Sequence, residues 1–237
     1  MDFFNRINTK YPWFFQKYVR FRLNHKIKRD YSPNDFCYDL HQNDITNWKD
    51  KFYKYFKDKK IEYNNHGISM GKELLPHGVF SWYVGYFSNN INGYLRQEDE
   101  KKEDNKVITD RIQVMLTELN REEFKLEKDI VVVREIQNRH FERKLKVGDK
   151  IVDKGFLSAS LDLLFRKRDE MNQSVFNNTT LIFLKVYAGT SAMYLEPVSQ
   201  RNEFEILLPN SLEIEIEDIY WFLSNRIIFA KANPNKK

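Results

Sequence analysis

At 237 residues, with 41% hydrophobic and 15% aromatic side chains, the chain can bury a sizeable core and falls outside the disordered class. Its single cysteine, Cys37, excludes an internal disulfide and a cysteine-based zinc site, and the histidines at 25, 41, 66, 77 and 140 lack ligand spacing, so no metal is expected. The formal charge of +5 is uneven: residues 1–60 hold 14 Lys/Arg against 7 Asp/Glu, which leaves the remaining 177 residues at a net −2.

Those first 60 residues also carry 16 of the 36 aromatics. Basic groups interleaved with aromatics suit phosphate contact and base stacking. They equally suit a helical lobe with aromatics inside and lysines in water, because Phe14, Phe15, Tyr18 and Phe21 recur near helical spacing. Tyr11-Pro12 sets a helix start near Trp13. A second helix follows Asn43-Asp44, with Trp48, Phe52, Tyr55 and Phe56 as its apolar stripe. Gly67, Gly71, Pro76 and Gly78 predict a loop that ends at Ser81, the expected N-cap of a helix over 82–97. A charged loop over 98–104 leads to a helix with Ile108, Ile112, Met115, Leu116 and Leu119 in phase.

After residue 129 the pattern turns to strands. Ile130-Val131-Val132-Val133 is a short buried strand ending in Arg134, and Phe156-Leu157-Ser158-Ala159-Ser160-Leu161 is another. A short helix with Phe165, Arg166 and Arg168 follows. Strands are then expected over 181–187, 192–195, 204–208, 212–220 and 226–230. Helices first and strands later favour α+β over a parallel βαβ sheet. The sequence contains no dinucleotide-binding glycine fingerprint and no Walker loop. No apolar run approaches the roughly 20 residues of a membrane-spanning helix. The opening Met1-Asp2-Phe3-Phe4-Asn5-Arg6 lacks the layout of a secretory signal. The expectation is a cytoplasmic protein, or one delivered into a target cell by a dedicated route.

Three polar features stand at strand ends. Arg134 follows three valines, and a buried charge there needs an anionic partner. Ser158 and Ser160, two apart on a strand, put both hydroxyls on one face. Glu203 and Glu205, about 7 Å apart if the strand is regular, point the same way with Phe204 opposite, and their repulsion favours raising the pKa of one. Each has a plain structural alternative: an ion pair for the arginine, ordinary strand polarity for the serines. For the glutamates, Glu213-Ile214-Glu215-Ile216-Glu217 has the same alternation and reads as a solvated strand face. Spacing alone does not separate the two runs.

Taken in order, Arg, Ser-x-Ser, Glu-x-Glu, the features resemble the toxin-type mono-ADP-ribosyltransferases of the Arg-Ser-Glu class. That class includes the enzymatic subunits of clostridial binary toxins and the vertebrate arginine-specific enzymes. The resemblance covers roughly residues 80–230. Val132-Val133-Arg134 is similar to the family's first strand, and Gly155-Phe156-Leu157-Ser158-Ala159-Ser160 to its Phe-x-Ser-Thr-Ser strand, with Ala159 in place of Thr. Glu203-Phe204-Glu205-Ile206-Leu207-Leu208-Pro209 resembles Glu-x-Glu-x-Leu-Leu-Pro, and residues 189–199 the strand and turn before it. Tyr83 and Ile91-Asn92-Gly93-Tyr94-Leu95-Arg96 resemble the helix that closes over NAD. Gln200-Arg201-Asn202 departs from the family, which often has an aromatic in that turn, and Ser88 stands where a second tyrosine is usual.

The resemblance implies an ADP-ribosyltransferase-like α+β fold, with two packed, mostly antiparallel sheets and N-terminal helices. Residues 1–78 are expected as a basic, aromatic-rich helical lobe, either separate or part of the same domain, and 79–237 as the catalytic core. It implies NAD as substrate and no metal. Glu205 would stabilise the ribosyl cation, Ser158 would fix Glu205, and Arg134 would hold the NAD phosphates or ribose. Glu135, Phe156, Ser160, Tyr83, Asn92 and Arg166 (or Arg168) would complete the NAD site. Glu203 would orient the acceptor and take its proton. Family members with Glu at this position typically modify arginine, and those with Gln asparagine or other groups. A protein arginine is therefore the expected acceptor, in a toxin, effector or host modifier. The alternative is a nucleic-acid base, in a toxin–antitoxin or phage-defence component. An antitoxin or immunity protein is an expected partner.

Overall fold

The structure, a computed structural model, describes residues 43–58, 75–96, 106–137, 145–161, 179–199, 204–222 and 225–233. Among the described residues four α-helices come first: α1 (Asn43–Asp58), α2 (Pro76–Trp82), α3 (Ser88–Arg96) and α4 (Lys106–Leu119). Eight strands follow: β1 (Ile130–Gln137), β2 (Lys150–Asp153), β3 (Leu157–Ser160), β4 (Thr179–Val186), β5 (Met193–Tyr194), β6 (Glu205–Leu208), β7 (Leu212–Phe222) and β8 (Asn225–Asn233). No described helix is long and apolar enough to cross a membrane.

The expected stripe of α1 is the buried one. Trp48, Phe52 and Phe56 are buried, and Phe52 and Tyr55 both meet Phe124. Tyr55 also donates its hydroxyl to Glu118 of α4. The next helix begins earlier than the sequence suggests. Pro76 and Gly78, expected in a loop, lie in the first turn of α2, and Leu75 rather than Ser81 is the N-cap. Proline suits that position because its missing N–H has no partner in a first turn and its φ is already helical. Between α2 and α3 the chain widens into a π-helical turn, Tyr83–Phe87, of the kind often found at functional sites.

The strands form one hydrogen-bonded series in the order β2-β7-β8-β4-β1-β3-β6-β5. All pairs are antiparallel except β4 with β8. The series has two blocks, β2-β7-β8-β4-β1 and β3-β6-β5, joined through the single register pair Val133–Ser160. Val132, Leu184, Ile216 and Ile228 of the first block and Leu157, Ala159, Ile206 and Leu208 of the second share one hydrophobic core with the helices. β2 escapes a sequence reading because Lys150-Ile151-Val152-Asp153 is short and only half-covered.

The run Glu213, Glu215, Glu217 is an ordinary polar strand face. Leu212, Ile214 and Ile216 between them are buried, while the glutamates pair with Lys150 and Lys231. The helix expected around Phe165, Arg166 and Arg168, the charged loop over 98–104 and the helix near Trp13 lie outside the described residues.

Candidate active site

The junction between the two strand blocks brings the predicted residues together. β3 and β6 pair over four positions, from Leu157–Leu208 to Ser160–Glu205. Residues opposite one another share a face, and residues two apart on a strand share it too. Ser158 therefore stands diagonally across from Glu205, and its Oγ donates to Glu205 Oε1. A hydroxyl donating to a carboxylate holds the ionised form and limits its rotamers.

Arg134 lies one residue past Val133, where the β1–β3 pairing stops. A strand carbonyl left without its ladder partner needs another donor. Arg134 supplies it: Nη1 donates to the Ser158 carbonyl at 2.9 Å. One arm of the guanidinium is thus fixed to the strand that fixes Glu205. Burial pulls the Arg134 pKa down; Asp153, Tyr83 and Glu205 oppose that, while Arg96 adds to it. The guanidinium remains charged, since the ordinary arginine value lies so far above neutrality.

Asn92 of α3 ties this junction to the helices. Its Oδ1 accepts the Phe156 N–H at 2.8 Å, and its Nδ2 donates to the Tyr83 hydroxyl at 3.1 Å. Tyr83 is 1% exposed and meets Phe156 edge to face at 6.2 Å. Burial pushes the Tyr83 phenol up to about 12; the Asn92 contact opposes this and the Glu205 charge adds to it. Tyr83 is therefore a neutral hydroxyl beside a carboxylate. Phe156 has no exposed surface, so its ring is a wall beneath Tyr83.

The same helix is clasped to the end of β2. Arg96 donates Nε and Nη2 to Asp153 Oδ1 and Oδ2, each at 2.8 Å, and Asp153 Oδ1 also accepts the Gly155 N–H at 2.9 Å. Burial alone would raise the Asp153 pKa. The Arg96 pair, the Gly155 N–H and the Arg134 charge outweigh it and hold the carboxyl below its ordinary range. Gly155 lies so close to α3 that a Cβ there would stand 2.9 Å from Asn92 Oδ1 and 3.0 Å from Arg96 Nη2. Asp153 was not visible from sequence; an acid two residues before Gly-Phe-x-Ser is the only cue.

The start of β6 departs from the regular strand expected of Glu203-Phe204-Glu205. Phe204 adopts φ +50°, in the left-handed region, and β6 begins only at Glu205. Simple alternation through Phe204 does not hold. A non-glycine residue there costs about 1–3 kcal/mol and persists only where its surroundings impose it. They do so here: the Phe204 N–H donates to Glu196 Oε2 at 2.9 Å, its carbonyl accepts the Leu161 N–H at 3.0 Å, and the Leu195 N–H donates to the Glu205 carbonyl at 2.9 Å. Glu196 was also missed, because nothing in Tyr194-Leu195-Glu196-Pro197 marks it.

Arg134, Ser158, Glu205, Tyr83, Asn92 and Phe156 thus form one connected cluster. Ser160 faces Glu205 across the β3–β6 pair, and Glu135 follows Arg134 on β1, opposite Leu181. Glu203, Arg166 and the turn Gln200-Arg201-Asn202 lie outside the described residues.

A mixed α+β chain with an arginine, a serine and a glutamate converging at a split in its sheet has the architecture of the toxin-type ADP-ribosyltransferases. The ADP-ribosyltransferase exoenzyme family model matches residues 45–232, and the chain belongs to that family. It is an NAD-dependent ADP-ribosyltransferase, with NAD as its substrate. Among solved structures it is similar to Plx2a, an ADP-ribosyltransferase toxin from Paenibacillus larvae, at 21% identity and a TM-score of 0.56, covering 79% of this chain and 94% of that one. It is also similar to the C3 exoenzyme of Clostridium limosum, at 18% identity and a TM-score of 0.57, covering 80% and 95%. The enzymatic component C2-I of the C2 toxin from Clostridium botulinum matches at 16% identity and a TM-score of 0.55, over 80% of this chain and 47% of that one. At these identities the likenesses establish the fold. Among curated proteins no sequence matches.

Proposed function

We propose that the chain cleaves NAD at the nicotinamide–ribose bond and transfers ADP-ribose to a protein arginine, as a toxin, effector or host modifier. The observation that carries this reading is the Ser158–Glu205 hydrogen bond on a strand whose carbonyl Arg134 holds. The glycosidic bond between ribose C1 and the nicotinamide nitrogen breaks, and nicotinamide leaves with the bonding pair. The ribose then carries oxocarbenium character, as in glycoside cleavage. Glu205, fixed by Ser158, lies ready to stabilise that charge and accept the ribose 2′-hydroxyl proton in a hydrogen bond. Arg134 offers its remaining N–H groups to phosphate or ribose oxygens.

Tyr83 and Asn92 form the wall on the α3 side, with Phe156 behind them. Glu135, Ser160 and Arg166 are further proposed NAD contacts. Glu203 takes the proton of the incoming guanidinium, which is protonated at neutral pH and needs a carboxylate to become a nucleophile. The bond formed joins ribose C1 to that nitrogen.

A second reading, transfer to a nucleic-acid base, is favoured by the basic, aromatic N-terminal segment. Within it, α1 exposes Lys54, Lys57 and 47% of Tyr53. An antitoxin or immunity partner belongs to either reading. Labelled NAD incubated with cell protein and with purified RNA and DNA separates them, and label on nucleic acid alone overturns the first. Glu205→Ala is expected to abolish both transfer and NAD hydrolysis, and Glu203→Ala to abolish transfer while leaving hydrolysis. Transfer by the Glu205→Ala protein at the wild-type rate refutes the assignment.

A further inference from the structure

We infer that the solvent face of α1 around Tyr53 is a docking surface for the protein acceptor, and that it receives an acidic surface of that protein. The inference rests on the protein-acceptor reading proposed above and concerns a face outside the NAD site. A protein interface covers roughly 800 Å² on each partner, a patch about 30 Å across, so a protein whose side chain reaches the ribose also covers elements beside β6. β5 ends the strand series next to β6, with Tyr194 opposite Ile206, the residue after Glu205. α1 packs against β5 and against the one-turn 3₁₀ segment that follows it, Glu196–Val198. The Glu196 carboxylate accepts the N–H of Phe204, the residue before Glu205. Its charge also reaches the Tyr53 phenol, where it adds to the larger effect of burial in raising the pKa. Tyr53 is therefore two contacts away from the strand that carries Glu205.

The helix pattern gives this face its chemistry. Trp48, Phe52 and Phe56 turn inward, which leaves Tyr53 47% exposed and Lys54 and Lys57 in solvent. Lys57 follows Tyr53 by four residues and Lys54 by three, so the three share one stripe of the helix surface. The Tyr53 ring is already held, edge to face against the buried Tyr194 at 6.1 Å. A tyrosine fixed in this way loses little freedom when a partner covers it, and an aromatic anchor with a charged rim is the ordinary anatomy of a protein interface. The charges select the partner. Lys51 pairs with Glu127 and Lys49 lies over the Tyr194 ring at 5.9 Å, so both are engaged within the chain. Lys54 and Lys57 are left to present positive charge outward, which steers an acidic surface onto the face. A nucleic-acid backbone fits less well. It presents a continuous run of phosphates, and Asp50, Glu127 and Glu196 stand among the lysines here. Single strands are also bound by successive aromatic platforms, whereas among the described residues Tyr53 is the one large hydrophobic that α1 exposes.

The test compares wild type, Tyr53→Ala and the double variant Lys54→Glu/Lys57→Glu, with labelled NAD and the soluble protein of a cell extract. Protein labelling is expected to fall about tenfold or more in both variants, with NAD hydrolysis within about twofold of wild type. Polyglutamate should inhibit protein labelling by the wild type without slowing hydrolysis. Fluorescent polyglutamate, read by anisotropy, should bind the double variant about tenfold or more weakly than wild type, and this measurement decides where the extract holds no acceptor. Unchanged protein labelling in both variants overturns the docking surface and leaves the protein-acceptor reading standing. Hydrolysis falling by the same factor as labelling, or equal polyglutamate binding by wild type and the double variant, overturns it too. Label on RNA or DNA alone overturns this inference and the protein-acceptor reading together. Where the double variant does not fold, Lys54→Gln/Lys57→Gln, which removes the charges and keeps the helix formers, replaces it with the same direction of change expected.

Discussion

Gly155→Ala puts one methyl group where the helix side of the site meets its strand. Gly155 does not have a positive φ, so alanine fits its backbone, and removing a glycine from the unfolded chain alone would stabilise by about 0.4–1 kcal/mol. Space opposes this. The added Cβ lies 2.9 Å from Asn92 Oδ1, 3.0 Å from Arg96 Nη2 and 3.1 Å from Arg96 Cζ. Neither neighbour is a free chain end. Asn92 is 7% exposed and is bonded to the Phe156 N–H and the Tyr83 hydroxyl, and both nitrogens of the Arg96 fork face Asp153. Relief requires α3 to retreat, which stretches the Asn92 bonds. A buried donor left without its acceptor costs about 1–3 kcal/mol, and overpacking adds about 1–3 kcal/mol. A net loss of about 2–4 kcal/mol is expected after the glycine term, or a fall of about 4–16 °C in Tm at 2–4 °C per kcal/mol for a chain of this size. Because Tyr83 moves with Asn92, KM for NAD should rise as well. Gly189→Ala is the control: its φ of +81° makes alanine strained, but nothing lies within 4 Å of the new Cβ, so stability should fall with KM unchanged. Denaturant unfolding and NAD hydrolysis kinetics read both. A Gly155→Ala protein as stable as wild type, with the same KM, refutes the close-packed reading of this contact.

Ser158→Ala removes a hydrogen bond to a carboxylate on a half-buried strand, worth about 1.5–3 kcal/mol. If that bond is realised in the transition state, kcat/KM for NAD hydrolysis should fall about 10- to 100-fold, with a fall of about 3–12 °C in Tm, and an unaltered kcat/KM would break the link between Ser158 and Glu205. Asp153→Asn tests the clasp through its acid dependence. The folded-state pKa of Asp153 is depressed, so its stabilisation is fully present above the ordinary carboxylate value of about 3.9 and is lost as pH falls through the lower folded value. The variant should lose about 1–2 kcal/mol near neutrality, given a pair that is about a quarter exposed, and the difference from wild type should close below about pH 4. Urea midpoints at pH 7 and pH 3 read this, and a difference that stays constant with pH argues against it.

What the sequence made legible followed from periodicity and order. Trp48, Phe52 and Phe56 announced the buried stripe of α1, and Val131–Val133 the buried part of β1, although the strand does not end at Arg134 as expected but runs on to Gln137 against β4. Glu205 and Ser158 were legible as chemistry because only Glu203-Phe204-Glu205 follows Arg134 and Ser-x-Ser in the family's order. Glu213, Glu215 and Glu217 have the same spacing and are matched to Lys150 and Lys231. What was hidden were contacts between distant segments. Asn92 reads as one polar residue on a helix, yet its carbonyl oxygen satisfies an N–H 64 residues away. Asp153 reads as a loop acid, yet it closes on Arg96 57 residues earlier. The left-handed Phe204 could not be foreseen, since a bulky aromatic gives no local reason for that conformation and the cause lies in Glu196. The early start of α2 was misread for a different reason: Pro76 and Gly78 look like loop punctuation until the proline is counted as a first-turn residue.

The two strands that carry Ser158 and Glu205 begin in the same way. Each is preceded by a phenylalanine whose N–H is taken by a side chain from elsewhere: Phe156 by Asn92 of α3, and Phe204 by Glu196 of the turn after β5. β3 and β6 then pair over only four positions. A register so short is weakly specified by its own ladder, and a slip of one residue would turn every side chain to the opposite face. Slipped, Ser158 would face away from Glu205, and the Arg134 fork would meet a different carbonyl. On β3 the hydrophobic pattern resists this, because Leu157 and Ala159 belong to the core while Ser158 between them is half-buried; β6 has Ile206, Leu207 and Leu208 all in the core and adds no such alternation. The two side-chain acceptors add to this at the start of each strand. They also connect each strand to a different element: Asn92 to the helix that the family resemblance places over NAD, and Glu196 to the 3₁₀ turn after β5. The register that aligns Ser158 with Glu205 therefore depends on both sides of the site being correctly folded at once.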